Sequence, residues 1–442
     1  MTTLRERLFG TAITAAVPLV KLAARGESKL ARGVRARDGA ADRLIEWQRM
    51  ARDPARPVAW MHAPSVGEAL MAKAISGALR VRVPDVHVVF TCFSPSAERV
   101  LDSVGADVAG YLPWDTPGHV GRAVRAIAPD VVACVRTEVW PYFARVADEA
   151  GAGIALVNAV LSDASGRMRG PARWLLEPTY RRLDAVGVVS ADDEPRFRRM
   201  GVPPERIRLT GDARFDQVWQ RVGSLRSDSA RLTRMRALVP EGRPVIVAGS
   251  TWPQDERHLV NALRWLANHA IDAVCIIAPH EPTPDHLTRL ETRVAHAGLA
   301  SARMAQVEQG APLENVMLVD RVGVLADLYA IADVAYVGGG FHDEGLHSVV
   351  EPAALGVPVV FGPRLGNSRE AAALARARGG VQVDGSGGLA SALRRMIAEP
   401  AARGAAGSAA LAFVQERLGG ADRNAALLAE LIETRARRQG TV

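Results

Sequence analysis

The chain has 442 residues, of which 48% are hydrophobic and 23% are charged. These proportions argue against a disordered chain and against a protein embedded in a membrane over most of its length, and the length favours two domains over one core. A formal net charge of +7 indicates attraction to phosphate groups, whether of nucleotides, anionic lipids or nucleic acid, without choosing among them.

The three cysteines, Cys92, Cys134 and Cys275, each lie in an apolar run. Their spacing lacks the close pairs that zinc and redox sites show. We therefore predict that they are reduced core residues in a cytosolic compartment.

The N-terminal segment, residues 1–40, contains an apolar stretch at 8–24 that is short for a membrane span of about 20 residues. Basic residues on both sides suit an interfacial anchor on an anionic leaflet. They are Arg5, Arg7, Lys21, Arg25, Lys29, Arg32, Arg35 and Arg37. A helix packed on the first domain explains the stretch as well, whereas a cleaved signal peptide is disfavoured because the body that follows has a cytosolic character.

From residue 41 to 225, short β-branched runs alternate with stretches of helical period. The apolar runs are 57–62, 86–92, 108–112, 131–135, 154–159 and 185–190. Short buried strands that alternate with helices predict a parallel sheet covered on both faces. This part of the chain is predicted to be a Rossmann-like doubly wound α/β domain.

A polar segment at 222–236 precedes a second alternating series within 236–442. Its apolar runs are 245–249, 273–278, 316–319, 334–337, 357–361 and 381–383. We predict a second Rossmann-like domain that ends in a long helical stretch at about 405–437. The fold class is thus α/β, with two doubly wound domains facing a central cleft and ligands beyond the carboxyl ends of the strands.

The glycine triplet at 338–340 follows an apolar strand. Glycines permit a sharp turn and a close approach of the backbone to a ligand. A helix opening with Glu351 and Pro352 would add N–H groups and a dipole that favour an anion, and Glu351 would suit ribose hydroxyls. Ser348-x-x-Glu351 is also the spacing of a capping box, and the two interpretations are compatible.

Two acids follow apolar strands of the first domain. Glu68 begins a helix after a tight turn and would take a proton from an incoming hydroxyl, although Ser65-x-x-Glu68 is another capping box. Glu138 lies near Trp140 at a strand end, where the pair would line a sugar site or the indole would only close the core.

In the second domain, Ser250 and Thr251 occupy a strand-to-helix turn that suits a phosphate, and Thr251-x-x-Gln254 also has the spacing of a helix cap. His280 ends the next strand, as a nucleotide contact or as an ordinary loop histidine. Neither a metal-binding motif nor Gly-x-Gly-x-x-Gly after the first strand is present, so a metal and hydride transfer are not indicated.

Together these motifs resemble the bacterial 3-deoxy-D-manno-octulosonic acid (Kdo) transferases, which are type-B glycosyltransferases with two Rossmann domains. The turn at 62–68 is similar to that family's Ser-Val-Gly-Glu signature, and 137–141 to its Glu-Thr-Glu-Leu-Trp-Pro signature. Further similar segments occur in the family's order at 111–115, 157–162, 211–216, 250–251, 278–281 and 338–363.

The resemblance implies transfer of Kdo from CMP-Kdo to a lipid A precursor, lipid IV-A, with inversion and without a bound metal or other cofactor. Glu68 would be the general base, and Glu138 would position the acceptor or the donor carboxylate. The nucleotide-sugar contacts would be Ser250, Thr251, His280, Gly339, Gly340, Ser348, Glu351, Arg214 and Arg364. The expected location is the cytoplasmic face of the inner membrane, with no nucleic-acid partner.

Two alternatives stay open at this point. One is another type-B enzyme, either a transferase for a different nucleotide sugar or a nucleotide-sugar epimerase. The other is a non-catalytic scaffold that binds anions at a membrane surface. The basic N-terminus and departures from the family pattern, such as Arg136 in place of the first signature glutamate, motivate the second alternative.

Overall fold

The structure, a computed structural model, describes residues 4–24, 26, 28–366 and 368–439. Arg25, predicted to belong to the basic anchor, lies outside these residues. The chain divides into two compact units. The first unit comprises Met1–Gln217 and Leu418–Val442, and the second comprises Val218–Arg417.

The first unit is built on a parallel sheet of seven strands in the order β3-β2-β1-β4-β5-β6-β7. The strands are β1 (Val58–Ala63), β2 (His87–Cys92), β3 (Val108–Tyr111), β4 (Val131–Val135), β5 (Gly153–Ala159), β6 (Ala185–Val188) and β7 (Ile207–Leu209). The predicted doubly wound sheet is confirmed. Strand β7 was not predicted because its three residues form no apolar run; Ile207 is partly buried, and Arg208 and Leu209 are exposed.

Helices cover both faces of this sheet. They are α1 (Leu4–Ala23), α2 (Lys29–Ala36), α3 (Ala40–Met50), α4 (Val66–Arg82), α5 (Arg122–Ile127), α6 (Pro141–Glu149), α7 (Gly170–Arg181), α8 (Glu194–Arg199) and α9 (Ala213–Ser227). Successive residues of β1 point to opposite faces, so Trp60 packs in one buried cluster and Met61 in the other. The stretch of helical period at 95–104 forms two short 3-10 segments, Pro95–Val100 and Asp102–Val104, and not an α-helix.

Helix α1 packs on the first unit. Val17 is buried, and the Arg5 guanidinium donates to the Trp174 carbonyl of α7 at 3.1 Å. Leu19 and Leu22 are exposed on the same helix. Of the helices in the described part of the chain, none combines the length and the apolar character that crossing a membrane requires.

The second unit repeats the plan with a parallel sheet in the order β10-β11-β9-β8-β12-β13-β14. Its strands are β8 (Val245–Thr251), β9 (Val274–Pro279), β10 (Ser301–Arg303), β11 (Val316–Leu318), β12 (Val334–Val337), β13 (Val359–Phe361) and β14 (Gly380–Gln382). Its helices are α10 (Ser229–Arg236), α11 (Pro253–Asn268), α12 (Pro284–His296), α13 (Met304–Glu308), α14 (Leu325–Tyr329), α15 (Val350–Ala354), α16 (Arg369–Arg376), α17 (Ser386–Ala398) and α18 (Pro400–Gln415).

The segment at 222–236 is helical rather than a polar separator. Helix α9 runs across the boundary between the units, and α10 follows after a cap in which Asp228 accepts from the Arg231 amide at 2.9 Å. Its four arginines and two leucines are good helix formers, so its polarity marks an exposed helix and not a linker.

The final helical stretch is interrupted at Gly419, whose φ is +90°. The last helix, α19 (Gly420–Gln439), belongs to the first unit, whereas the sequence assigned it to the second domain. Its apolar face, which includes Ala425 and Leu428, is buried in the first unit's core. Asn424 Oδ1 also accepts from the Asn158 amide at 3.0 Å. Burial of that face thus decides which unit takes the helix.

Candidate functional site

The candidate residues follow the strands at which each sheet changes direction. Strand order runs outward from the neighbours β1 and β4 in the first unit and from β8 and β12 in the second. Glu68 follows β1 and Glu138 follows β4. Ser250 is the second-last residue of β8, and the triplet 338–340 follows β12. Ligands of doubly wound sheets bind at such switch points, beyond the carboxyl ends of the strands. In each unit, therefore, the candidates share the edge that this fold uses for binding.

Three of the six non-glycine residues with positive φ in the described part of the chain stand at these edges. Arg136, Asn158 and Ser250 have φ values of 80°, 51° and 54°, and they stand at the carboxyl ends of β4, β5 and β8. Non-glycine residues rarely adopt positive φ, and such strain persists where the surrounding structure enforces it, often at functional sites. The strain agrees with a functional role for these strand ends.

Glu68 is held in the turn between β1 and α4. Its Oε2 atom accepts from the Ser65 amide at 2.9 Å and from the Ser65 hydroxyl at 2.5 Å. The predicted capping box is present, and the side chain remains partly exposed. Both contacts fall on one oxygen, so capping and a chemical role for the other oxygen are compatible.

His62, at the end of β1, links the two switch-point strands. Its Nε2 accepts from the Trp140 indole at 3.2 Å, and its Nδ1 lies 3.0 Å from the Thr91 carbonyl. The indole can only donate and the carbonyl can only accept, so the imidazole is neutral with its proton on Nδ1. Complete burial lowers the pKa of His62 to about 3, which agrees with this assignment. The network fixes Trp140 beside the strand end.

Glu138 forms an ion pair with Arg167, with Oε1 and the guanidinium 2.9 Å apart. Both side chains are about a third exposed, so the pair is accessible to a ligand. Nearby, Trp140 stacks on Phe93 at 5.1 Å between ring centroids, and Arg37 lies 3.9 Å above the Phe93 ring. Burial lowers the pKa of Arg37. The edge at β4 thus offers an acid, a cation and an aromatic surface, while Arg37 is buried and donates to the Gly33 and Phe93 carbonyls.

In the second unit, the glycine turn is organised by Asp255, a fully buried side chain in the first turn of α11. Its Oδ2 accepts from the amides of Gly339 at 2.8 Å and Trp252 at 2.9 Å. Its Oδ1 accepts from the Tyr336 hydroxyl at 2.8 Å and the Phe341 amide at 3.3 Å. The amide of Gly339, a predicted nucleotide contact, is therefore already satisfied by a carboxylate.

The three glycines are required by the chain's own packing. A Cβ on Gly338 would overlap the Ser250 carbonyl oxygen, and one on Gly339 would overlap the Gly345 carbonyl oxygen. A Cβ on Gly340 would lie 2.6 Å from the Gly362 Cα. The packing of the chain is therefore sufficient to explain the three glycines. It is also compatible with a ligand that approaches the turn closely.

Aromatic rings cluster beside the turn. The Trp252 indole stacks on His342 at 4.2 Å and on His280 at 4.8 Å, and it donates to His347 Nε2 at 3.1 Å. Burial, and then the nearby His280, lower the pKa of His347. His280 itself is exposed, so the predicted candidate lies at the open side of this cluster.

Thr251 differs from its predicted role as a cap. Its side chain is fully buried, and its hydroxyl donates to Glu256 at 3.0 Å. The N-cap of α11 is Trp252, whose own amide donates to Asp255 at 2.9 Å, so the helix begins one residue later than the predicted cap at Thr251 requires. Ser250, one residue earlier, is partly exposed.

The predicted box between Ser348 and Glu351 is also absent, because α15 begins one residue before Glu351 and spans only five residues. The Ser348 hydroxyl accepts from the Val350 amide at 3.4 Å. Glu351 instead pairs with Arg221 at 2.7 Å. So short a helix adds little dipole to this edge.

The two remaining arginines are engaged by acids. Arg364 pairs with Asp343, and both are well exposed. Arg214 lies in the first unit, where it pairs with Asp212 at 2.7 Å. Burial works to raise the pKa of Asp212, but Arg214 outweighs it and the pKa is lowered overall.

Asp255, His62, His342 and His347 were not among the predicted site residues. Asp255 had a detectable signal, since Trp252-x-x-Asp255 has capping spacing at the start of a helix. His62 and the other two histidines had none, because their partners are distant in the sequence. In the described part of the chain, no group of three or more His, Cys, Asp or Glu side chains is arranged to hold a metal ion.

The sequence matches one family profile, described as 3-deoxy-D-manno-octulosonic-acid transferase (kdotransferase), over residues 34–217. A 3-deoxy-D-manno-octulosonic acid transferase of Bordetella pertussis is 31% identical, over 83% of this chain and 85% of the relative. The corresponding protein of Haemophilus influenzae is 25% identical, over 70% of this chain and 72% of the relative.

Among solved structures, UDP-GlcNAc 2-epimerase from Neisseria meningitidis is similar, with a TM-score of 0.60. The two chains are 13% identical, and the similarity covers 85% of this chain and all of the epimerase. At this identity the likeness concerns the fold alone. It supports the two-domain fold of type-B glycosyltransferases and related epimerases.

Proposed function

Because the chain belongs to the 3-deoxy-D-manno-octulosonic acid transferase family and is a glycosyltransferase, we propose that it moves Kdo from CMP-Kdo to a lipid A precursor, lipid IV-A, in lipopolysaccharide biosynthesis. The anomeric carbon would be inverted. The observation that carries the proposal is the pair of accessible acids, Glu68 and Glu138, beyond the neighbouring strands β1 and β4 within the matched region.

In this reaction an acceptor hydroxyl attacks the anomeric carbon of Kdo while its proton passes to Glu68. The bond between that carbon and the phosphate oxygen breaks, and CMP leaves with the electron pair. Ser65 occupies Oε2 of the carboxylate, so Oε1 is the oxygen that takes the proton. Ser65 thereby fixes the orientation of the base, and orientation is a large part of the efficiency of general bases.

Glu138 and Arg167 supply opposite charges at the neighbouring strand end. In our proposal Arg167 meets an anionic group, such as the donor carboxylate, and Glu138 keeps Arg167 in position and contacts sugar hydroxyls. Because an exposed ion pair is weak, a ligand carboxylate can compete for the guanidinium.

In the second unit, CMP would bind along the ends of β8, β9 and β12. Ser250, Ser348, Gly339, Gly340 and His280 would contact the phosphate and the nucleoside, with Thr251 supporting the turn from its buried position. For Glu351 to reach the ribose it must exchange Arg221 for hydroxyl groups. Arg364, whose partner Asp343 is highly exposed, would stabilise charge on the leaving phosphate.

For a lipid acceptor we propose a location at the cytoplasmic face of the inner membrane, with α1 at the surface. The exposed Leu19 and Leu22 and the basic residues around this helix support interfacial contact.

To test the reaction, the purified full-length protein is incubated with CMP-Kdo and lipid IV-A. We expect release of CMP and a heavier lipid in the mass spectrum. Failure to produce either would contradict the proposal. A thermal-shift panel with CMP, UDP and GDP then separates the alternatives: a response to CMP alone fits a Kdo transferase, a response to UDP fits another nucleotide-sugar enzyme, and vesicle binding without any nucleotide response fits the scaffold.

A further inference from the structure

A basic groove of about 560 Å³ lies between helices α11 and α12 of the second unit. Arg257 and Arg264 line it from α11, and Arg289, Arg293 and His296 line it from α12. Among the ten described residues that line the groove there is no aspartate or glutamate. With histidine neutral, the lining therefore carries four positive charges and no negative charge.

Helical periodicity directs these side chains to one place. Residues four and seven positions apart lie on one face of a helix, which is the spacing of Arg257 and Arg264 on α11 and of Arg289, Arg293 and His296 on α12. Seven residues of helix extend about 10 Å. The two helices thus present parallel basic stripes with a shared concave space, a shape that suits several phosphate groups better than one.

Four acids lie on the same two helices, and three of them are engaged or buried. Glu256 is buried and lies 2.9 Å from His286 Nε2, and Glu291 pairs with Arg303 at 2.6 Å. Asp255 is buried under the glycine turn. The fourth, Asp285, is exposed in the first turn of α12, four residues before Arg289, and is not among the residues that line the groove, so it offsets at most one of the four positive charges. The positive charge is therefore available to an external anion, and arginine forks match phosphate oxygens in geometry.

An exposed tryptophan stands beside the groove. Trp265 follows Arg264 on α11 and is 36% exposed, and the His269 ring stacks on it at 3.8 Å. An indole next to arginines at the surface is typical of the headgroup region of membranes. A stacking platform for nucleic-acid bases needs open ring faces, and His269 covers one of them.

We propose that this groove is a docking site for the phosphate headgroups of an anionic lipid bilayer. The arginines would bind lipid phosphates and Trp265 would enter the headgroup layer. Neighbouring lipids supply phosphates at the spacing of the two stripes, whereas a single free phosphate would use only part of the groove. Binding of this kind does not depend on the sugar or the acceptor of the enzyme.

The test is flotation of the full-length protein with vesicles of phosphatidylcholine alone or with added phosphatidylglycerol. We expect binding to the anionic vesicles that weakens with salt. The variant R257Q/R264Q/R289Q/R293Q is expected to lower the partition constant by about 100-fold, since each arginine near such a surface contributes measurably. W265A is expected to lower it by about fivefold.

A matched control, R234Q/R321Q/R376Q/R378Q, removes the same charge from exposed positions elsewhere on the second unit. We expect it to bind within about threefold of the unaltered protein. Equal losses in both variants would show general charge attraction and overturn the proposal, as would unchanged binding of the groove variant. Stronger binding to an oligonucleotide than to anionic vesicles would overturn it in favour of nucleic acid.

The folding and the transfer activity of the groove variants are measured in separate assays. Circular dichroism and the CMP-induced thermal shift show whether the variants fold. Transfer to an acceptor dispersed in detergent is expected to be unchanged in the groove variant, because none of its four residues is in the proposed catalytic or nucleotide machinery. Loss of vesicle binding with intact transfer therefore tests the groove independently of the reaction.

Discussion

Two side chains at the carboxyl end of β1, Glu68 and His62, each have more than one role. Glu68 closes a helix turn through Oε2 and leaves Oε1 for chemistry. His62 joins β1 to Trp140 and must stay neutral to do so. Substitutions that keep the shape of these residues can therefore separate their structural and chemical contributions.

Replacing Glu68 with Gln keeps an acceptor for Ser65 but removes the base. We expect turnover to fall by about 10²–10⁴-fold, with CMP binding nearly unchanged. The control is Ser65→Ala, which removes one hydrogen bond to the carboxylate and is expected to cost at most about tenfold. The measurements are CMP release and the thermal shift with CMP. Similar losses in the two variants would mean that Glu68 serves the turn alone.

His62 makes the stability of the first unit depend on pH. Burial lowers the pKa of His62 from 6.5 to about 3. Between these pH values the unfolded chain binds a proton at His62 that the folded protein does not bind. The contribution of neutral His62 to the free energy of unfolding is complete above pH 6.5. It is lost as the pH falls toward 3, by about 1.4 kcal/mol per pH unit.

Urea unfolding of the full chain from pH 7 to pH 4.5 measures this effect. His62→Gln is expected to lose less stability over that range than the unaltered protein does. Asp115, whose pKa burial raises to about 6, acts with the opposite sign, but it is common to both proteins and cancels in the comparison. The exposed His269→Gln serves as control, and an equal pH dependence in all three proteins would refute the assignment of a neutral His62.

Among the elements, the glycine turn after β12 depends on α11 and β8 for its shape. Asp255 holds it from one side, and the Ser250 carbonyl limits it from another. The turn and the helix start therefore form one rigid element, which is the preorganisation that a binding site needs.

Gly339→Ala tests that element, with Gly298→Ala as its matched control. Both glycines have positive φ, +93° and +74°, but only Gly339 has a neighbouring atom, the Gly345 carbonyl oxygen, in the place of a new Cβ. We expect about 1 kcal/mol of lost stability for Gly298→Ala from backbone strain alone. Gly339→Ala should lose at least about 2 kcal/mol more and abolish the CMP-induced thermal shift. Equal effects of the two substitutions on urea unfolding would contradict this.

On the scale of the whole molecule, the chain leaves the first unit, forms the second and returns through α19 to complete the first. Asn424 fastens this return, since it accepts from the Asn158 amide and donates to the Gly420 carbonyl at 2.8 Å. Helix α19 is therefore part of the hydrophobic core of the first unit.

Asn424→Ala would leave the buried Asn158 amide without this acceptor. We expect a loss of about 1–3 kcal/mol confined to the first unit. Hydrogen exchange should become faster for amides of β4 and β5 and stay unchanged for β8 and β9. Thr434→Ala, at an exposed position on the same helix, is the control and should alter neither set. Faster exchange in both sheets would contradict a local role for α19.

The sequence by itself predicted the two doubly wound sheets, the strand ends that carry the candidate acids and the capped turn at Glu68. These features depend on hydrophobic period and on spacings of three or four residues, which are local properties of the chain. The segment at 222–236 was identified only as polar, and its helices agree with its local composition.

Tertiary structure alone decided the rest. Asp255 meets Gly339, 84 positions away in the chain, and Asn424 meets Asn158 across 266 positions. The same holds for the burial of Thr251, the pairing of Glu351 with Arg221 and the protonation state of His62. Such contacts are set by packing of distant segments into one core, and no local periodicity encodes which polar groups that packing brings together.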